Sequence, residues 1–502
     1  MQEITTMQSS ASRSGILESA DILKQRLAQL KLNSAFQNLE NGNLKFEAMV
    51  ENSNILLAKF AQTFSSDETL PSEIQKVLKQ FTSKCYVSRS IEEAQNITDE
   101  LYGKGKYIIQ KTLKAGTIGE TYIAKTADNK EVILKMVKEG VSKEKFAQDR
   151  AMFTKYVNEF VSDATEREYK LNLINSLFDA WNKELDYGIE AQNAKNLADN
   201  VKRFSVAQTL AVGSKNGQNI SMVQEKANGI ALDELLEMIG EFKKDKNNYL
   251  TKYAKEIEKN PALKNPNDWM NDLGIAYQKA QNEQAMFIGK SGTRTIHADP
   301  HTGNVFIDFD SANKPKIVYI DAGNVVERTN SQTLQDIALS LNMMIGNSQG
   351  IADAMLEGAI LPSGADKAKI AQRFSQLLNE RLYQAGVDVK NTKYTQSTIN
   401  NIMKELNIIP NSGNSNLMKA TLQRIETSRA INNVCGISSS KVVDIKDLGS
   451  GILKSLKANP KETMETIKPI IKWAYQNNDQ AMITFFQMII KKANIDPATI
   501  AA

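Results

Sequence analysis

The stretch that decides the fold is His297-Ala298-Asp299-Pro300-His301-Thr302-Gly303-Asn304. The chain has 502 residues but only two histidines, and both fall inside these eight positions. A His-x-Asp followed five residues later by Asn has the spacing of a phosphoryl-transfer catalytic loop. One turn divides the labour: Asp299 faces the attacking oxygen while Asn304 reaches back to a magnesium ion. The same residue types also suit a capped turn with local hydrogen bonds, so the surrounding sequence has to arbitrate.

Working downstream, Val305 to Phe309 and Lys316 to Ile320 read as a hairpin turning through Asp310-Ser311-Ala312-Asn313. Asp321-Ala322-Gly323 follows directly. An Asp at a strand end before a flexible Gly presents a carboxylate to magnesium, so Asn304 and Asp321 are the candidate metal ligands. Upstream, Lys135 sits in the apolar run Val132-Ile133-Leu134-Lys135-Met136, placed to neutralise nucleotide phosphates. Glu190, on the helix that follows, is its candidate partner. The small-residue loop Ala115-Gly116-Thr117-Ile118-Gly119 separates two strands and is suited to fold over phosphates. The run from Met222 to Gly229 leaves a strand for a Gly, and its backbone at Glu225 and Ala227 is a candidate reader of adenine. Gly289-Lys290-Ser291 imitates the end of a P-loop. It fails because position 284, where the first Gly belongs, is Gln284, and the preceding segment reads as helix.

Composition bounds the rest. Lys plus Arg number 62 against 58 Asp plus Glu, a net charge of +4, which gives no support for a nucleic-acid partner held by bulk charge. The two cysteines, Cys85 and Cys435, exclude a disulfide scaffold and a structural zinc site. No segment approaches the roughly 18–20 apolar residues of a spanning helix, and the N-terminus lacks the apolar core of a secretory signal. The expectation is a cytoplasmic protein, with peripheral membrane contact left open.

Segments 1–50 and 51–104 read as helical, the first with a polar, Ser-rich start; apolar spacing between Ile16 and Phe64 suggests two or three helices, and Ser72 reads as a cap. Residues 105–228 form a β-rich lobe with strands near Tyr107–Leu113, Thr121–Thr126, Glu131–Val137, Ala207–Val212 and Ile220–Glu225. One long helical stretch, about Lys143 to Phe204, is inserted. Residues 229–502 read as a helical lobe carrying the catalytic loop, with Lys243 to Asp268 an inserted surface segment. The fold class is α+β: a bilobal protein-kinase-like fold with an N-terminal helical extension.

At these residues the chain resembles the UbiB family of atypical kinases, the ADCK-type proteins linked to coenzyme Q. The family pattern H-A-D-P-H-P-G-N is met by HADPHTGN, with Thr302 for the second Pro. The family's K-x-G-Q element resembles Lys59-Phe60-Ala61-Gln62, and its E-x-D element resembles Glu184-Leu185-Asp186. Its alanine-rich nucleotide loop resembles Ala115 to Gly119. The resemblance implies ATP with Mg²⁺, a gate formed by Lys59, Gln62, Glu184 and Asp186 over the place of a protein substrate, and a protein, lipid or quinone-pathway partner. Three further positions depart from the family: Ala61 for Gly, Gly116 for Ala, and Ala322 for the Phe of D-F-G.

Two functional readings follow. In the first, Asp299 orients water or an acceptor hydroxyl, Lys135 positioned by Glu190 neutralises the phosphates, and the chain turns over ATP. In the second, it is a pseudokinase, a nucleotide-gated binding module. A third is a protein kinase acting on a partner.

Overall fold

Over Tyr107–Ile109 and Glu131–Met136 more and less buried side chains alternate, while Glu120–Ala124 are buried in succession, and the computed structural model forms strands there. It describes residues 88–494 apart from 117, 161, 163, 200, 287–291, 385–391, 410–411 and 437–444. The expectations at Lys59, Ala61, Gln62, Ser72, Thr117, Gly289-Lys290-Ser291 and the helices between Ile16 and Phe64 lie outside the described residues.

The chain divides into two units. The first takes residues up to Ile189 and returns for Thr209–Lys226; the second takes Glu190–Gln208 and everything from Ala227. In the first unit, helix α1 (Ile91–Tyr102) precedes strands β1 (Tyr107–Ala115), β2 (Gly119–Thr126) and β3 (Glu131–Val137). Helices α2 (Lys143–Phe160) and α3 (Ala164–Glu184) follow, and α4 (Tyr187–Ala198) begins here and runs on into the second unit. Strand β4 (Phe204–Val206) belongs to the second unit; β5 (Thr209–Lys215) and β6 (Gln218–Glu225) complete the first. The sheet order is β1-β2-β3-β6-β5, antiparallel throughout.

Turn chemistry sets the registers. Asn129 takes φ +64° between β2 and β3, and Asn216-Gly217 takes φ +52° and +76° between β5 and β6. Two consecutive left-handed residues make the hairpin turn whose twist matches the strands. On one face of the sheet Tyr107, Ile109, Tyr122, Val132, Leu134, Met136 and Val223 are buried with Ala94 of α1. Another cluster joins Ile118, Val137 and Met222 to Phe146, Phe178 and Trp181 of α2 and α3. Helix α1 starts at a capping box: Glu93 N donates to Ser90 Oγ at 3.2 Å and Ser90 N donates to Glu93 Oε2 at 2.8 Å.

The second unit carries β7 (Ile230–Ala231), α5 (Leu232–Lys244), α6 (Lys246–Lys252), α7 (Ala254–Lys259) and α8 (Met270–Met286). Strands β8 (Thr293–His297), β9 (Val305–Phe309), β10 (Pro315–Tyr319) and β11 (Val325–Thr329) follow. Then come helices α9 (Asn330–Ile345), α10 (Ser348–Met355), α11 (Lys367–Leu378), α12 (Thr392–Glu405) and α13 (Ser412–Cys435). The last are α14 (Ile445–Ala458), α15 (Pro460–Gln476) and α16 (Gln480–Ala493). A four-stranded sheet has the order β4-β10-β9-β7, and β8 pairs with β11. A core of Leu235, Ile239, Tyr249, Leu263, Trp269, Leu273, Ile307 and Ile317 lies beneath this four-stranded sheet.

Most of the Lys243–Asp268 segment is exposed, as expected of a surface segment, but it also feeds side chains into the core. Tyr249 and Leu263 are fully buried there, and Tyr249 Oη donates to the Leu263 carbonyl at 2.7 Å. The lysines and glutamates that suggested a surface loop occupy only the outer side of short helices. The strand expected over Ala207–Val212 is β5, which starts at Thr209; the three-residue β4 just before it belongs to the second unit and pairs in parallel with β10. The long helical stretch is three helices, broken at Leu185-Asp186 where Asp186 caps α4: Gly188 N donates to its Oδ1 at 3.0 Å. No helix among the described residues is long and apolar enough to cross a membrane.

Candidate functional site

In the second unit two loops are stitched into one body. The loop carrying His297 to Asn304 runs from β8 to β9, and the Asp321 loop runs from β10 to β11. Ala298 N donates to the Asn324 carbonyl and Ile320 N to the Asn304 carbonyl, each at 3.0 Å. His297 completes the seam. It is fully buried, its Nε2 meets the Ile320 carbonyl at 2.9 Å, and its Nδ1 accepts the Asp299 N–H at 3.1 Å. That pattern needs a neutral ring protonated on Nε2. Burial supplies it, pushing the His297 pKa below its ordinary value of 6.5 against the opposing pull of the Ile320 carbonyl.

The side-chain amide of Asn304 donates from Nδ2 to the Asp299 carbonyl at 3.1 Å, which leaves its Oδ1 as the acceptor end. Asp321 stands in the left-handed region at φ +61°, a conformation that Asp tolerates through local hydrogen bonding. Its Oδ1 accepts the Gly323 N–H at 3.4 Å. A Cβ on Gly323 would lie 3.3 Å from Asp321 Oδ1 and 3.7 Å from Glu190 Oε2. Glycine therefore keeps open the space between two carboxylates. Asn193, one helical turn after Glu190 on α4, donates to the Ala322 carbonyl at 2.9 Å and ties this helix to the loop. Ala322 is itself buried in the core of the unit, so its methyl does part of the anchoring expected of a larger side chain. The second unit thus brings together Asp299, Asn304, Asp321 and Glu190.

The donors fit magnesium in kind. Asn304 and Asp321 offer only hard oxygens, and Gly323 leaves room beside them. Mg²⁺ typically takes one or two carboxylates, with phosphates and water filling the remaining positions. Among the described residues no group of three or more His, Cys, Asp or Glu side chains is gathered to hold a metal by itself.

In the first unit Lys135 lies on the central strand, paired in register with Thr121 and Met222. It alternates with the buried Leu134 and Met136 and so falls on the other face of the sheet. Its carbonyl accepts the Ser221 Oγ–H at 2.9 Å. The 115–119 loop is closed by Gly116 N donating to the Gly119 carbonyl at 2.8 Å, and Ile118 is buried beneath it. A Cβ on Gly119 would sit 2.3 Å from Tyr187 Oη and 3.1 Å from the Met136 carbonyl, so no other residue fits unless Tyr187 moves. Glu120, fully buried next to the loop, meets Arg89 at 3.2 Å and accepts Tyr122 Oη–H at 2.8 Å.

Glu184 ends α3. Asp186 Oδ1 accepts Asn219 Nδ2 at 2.7 Å as well as the Gly188 N–H, and Lys143 lies 3.5 Å from its Oδ2. Partial burial raises the Asp186 pKa, but the Asn219 and Gly188 hydrogen bonds and the Lys143 charge outweigh it, and the carboxyl titrates below the usual range. Glu225 ends β6 opposite Val132, and the chain passes to the second unit before Ala227.

The sequence of the ABC1 atypical kinase-like domain matches residues 73–355, more than half of the chain. The chain belongs to the ABC1 atypical kinase-like family. The family span holds β1 to β11 with the His297–Asn304 and Asp321 loops, and the fold is α+β and kinase-like, as HADPHTGN implied. A solved structure, the complex of Rv3197 with erythromycin from Mycobacterium tuberculosis, is 14% identical and spans 77% of this chain and 98% of that one at a TM-score of 0.36. A comparison with curated proteins finds no match.

Sequence reading of this ABC1-type chain missed several residues of the site. His297 was part of a motif without a task. Gln284 Oε1, on α8, accepts the His297 backbone N–H at 3.0 Å. From α13, Gln423 Nε2 donates to Asp299 Oδ1 at 2.5 Å and Thr427 Oγ1 donates to the Pro300 carbonyl at 3.2 Å. A helix more than a hundred residues from the loop carries no local signal that could have announced this.

Proposed function

We propose that the chain binds Mg-ATP and catalyses ATP hydrolysis or phosphoryl transfer to an acceptor hydroxyl. The observation that supports this most is the stitched pair of loops, which presents Asp299, Asn304 and Asp321 from one rigid set of hydrogen bonds. Asn304 Oδ1 and the Asp321 carboxylate hold Mg²⁺, which neutralises charge on the phosphates. Lys135 engages the α- and β-phosphates, and the 115–119 loop supplies backbone N–H groups to them. The backbone between Glu225 and Ala227 reads adenine. Asp299 receives the acceptor's proton as the acceptor oxygen bonds to the γ-phosphorus. The bond from that phosphorus to the β–γ bridging oxygen breaks, and its electron pair leaves with ADP. Glu184 and Asp186 belong with Lys59 and Gln62 to a gate on the acceptor.

The acceptor is water, a small molecule or a protein, with a lipid- or quinone-linked one suggested by the UbiB-type resemblance. The binding-only alternative rests on Ala322 and on a gate that shuts out protein substrates. Asp299→Asn separates the two: with turnover, ADP release collapses while Mg-ATP affinity measured by calorimetry stays within a few-fold. ADP release unchanged in Asp299→Asn would overturn the catalytic role.

A further inference from the structure

Ala420, Gln423 and Thr427 recur at three- and four-residue spacing and so share one face of α13. That face lies on the catalytic loop. Ala420 is buried with Ile296, Ala298 and Val326. Thr427 is buried and holds the Pro300 carbonyl. Between them Gln423 Nε2 reaches Asp299 Oδ1 at 2.5 Å. The neighbouring Arg424 turns inward instead. It is buried, its Nε donates to the Ala420 carbonyl at 3.1 Å, and its charge faces Asp336, Tyr277 and Tyr319. The helix is therefore pinned on both sides of Gln423. Gln423 Oε1 is buried with no hydrogen-bond partner, so the amide is committed to Asp299 through its donor end.

We propose that Gln423 is a positioning residue for phosphoryl transfer: its amide fixes Asp299 Oδ1, and with it the plane in which Oδ2 meets the acceptor's proton. This rests on the phosphoryl-transfer reading given above. A hydrogen bond to an ionised oxygen is short and strong. A neutral donor orients the carboxylate without adding a cation that would oppose its taking a proton. The cost of an unpaired Oε1 is consistent with a side chain kept for its donor alone. The helix that supplies it lies outside the residues matched to the family, in the stretch 331–502 where the sequence shows no motif.

The test replaces the donor and keeps the volume, with Gln423→Leu. Steady-state ATP turnover is expected to lose ten- to a hundredfold in kcat, with the KM for Mg-ATP within twofold of wild type. A role confined to stability would not give that split. If Gln423→Leu does not fold, Gln423→Glu keeps the shape and puts an acceptor where the donor was, with the same expected loss near neutral pH. A second measurement does not depend on turnover: the side-chain amide resonance of Gln423 in glutamine-¹⁵N-labelled protein, which Asp299→Asn is expected to move. Wild-type kcat in the position-423 variants, or an amide resonance unmoved by Asp299→Asn, would overturn the proposal. If the wild type itself does not turn over ATP, the phosphoryl-transfer reading fails, and the proposal fails with it as a statement about catalysis. The amide resonance then decides only whether Gln423 holds Asp299.

Discussion

Replacing His297 by Leu is the sharpest perturbation of the seam between the two loops. The substitution keeps the volume roughly but strands two partners in the interior, the Asp299 N–H and the Ile320 carbonyl. Each unsatisfied buried group costs about 1–3 kcal/mol, so the variant is expected to lose about 2–6 kcal/mol at pH 7.5. The loss has a pH dependence with a definite sign. The folded His297 has its pKa depressed by burial, so on acidification the unfolded chain takes up the proton first, at about 6.5. Wild-type stability from this residue is therefore full above pH 6.5 and falls as pH drops, by at most about 1.4 kcal/mol per pH unit. The Leu variant lacks this term. The gap between the two proteins should narrow as pH falls from 7.5 to 5, by at most about 2 kcal/mol.

Asp336 works in the opposite sense. Burial pushes its pKa up to about 6 despite Arg328 and Arg424, so its contribution is lost as pH rises from 3.8 through 6. It is present in both proteins and cancels in the difference. The assay is urea unfolding followed by tryptophan fluorescence at pH 7.5, 6.5, 5.8 and 5. A penalty that is absent would contradict the hydrogen-bonded seam. A penalty that stays constant or grows on acidification would contradict a buried neutral His297.

Further perturbations test the first unit. Gly119→Ala drives a methyl against Tyr187 Oη and the Met136 carbonyl, and a thermal melt should show a loss of about 1–3 kcal/mol, eased when Tyr187→Phe removes the hydroxyl. An unchanged melt would mean that the 115–119 loop is not held by this contact. Arg89→Ala leaves the fully buried Glu120 without its cation, at a cost of about 3–5 kcal/mol. Adding Glu120→Gln should recover part of that, and an additive double variant would show that the pair does not interact.

How far the sequence carries the fold depends on where each segment finds its partner. The hairpin Val305–Phe309 with Lys316–Ile320 was legible because its partner is local and its turn ends at Asn313, which takes φ +57°. The β5–β6 hairpin carries an equally plain signal, Asn216-Gly217, and reading that turn extends both strands to Lys215 and Gln218. Strands β8 and β11 went unread. Each has five residues, with Arg294 and Arg328 interrupting the apolar alternation, and they pair across 27 or more residues. Strand β4 has only three residues and owes its existence to β10.

The site divides in the same way. Asp299 and Asn304 are joined by a contact inside the motif, and Asp321 follows one hairpin later, so spacing alone grouped them. The role of Gly323 is only half legible in this way, because one of the two carboxylates beside it, Glu190, comes from a distant helix. The roles of His297, Gln284, Asn193 and Gln423 depend on which distant backbone or carboxyl group each one meets. A single sequence holds no record of that, because a Gln on an amphipathic helix looks the same whether it faces water or Asp299.

The central claim is that the Asp321 loop and Asn304 bind the metal of a Mg-ATP complex. The most direct measurement is thermal unfolding with and without Mg-ATP, wild type beside Asp321→Asn. Asn also accepts the left-handed backbone found at position 321, so the variant should fold. At roughly 100 times its Kd the ligand adds about 2.7 kcal/mol to the native state. A magnesium-dependent upward shift is expected in the wild type, and it is lost in Asp321→Asn. No shift in either protein at millimolar Mg-ATP, or an equal shift in both, would contradict the claim.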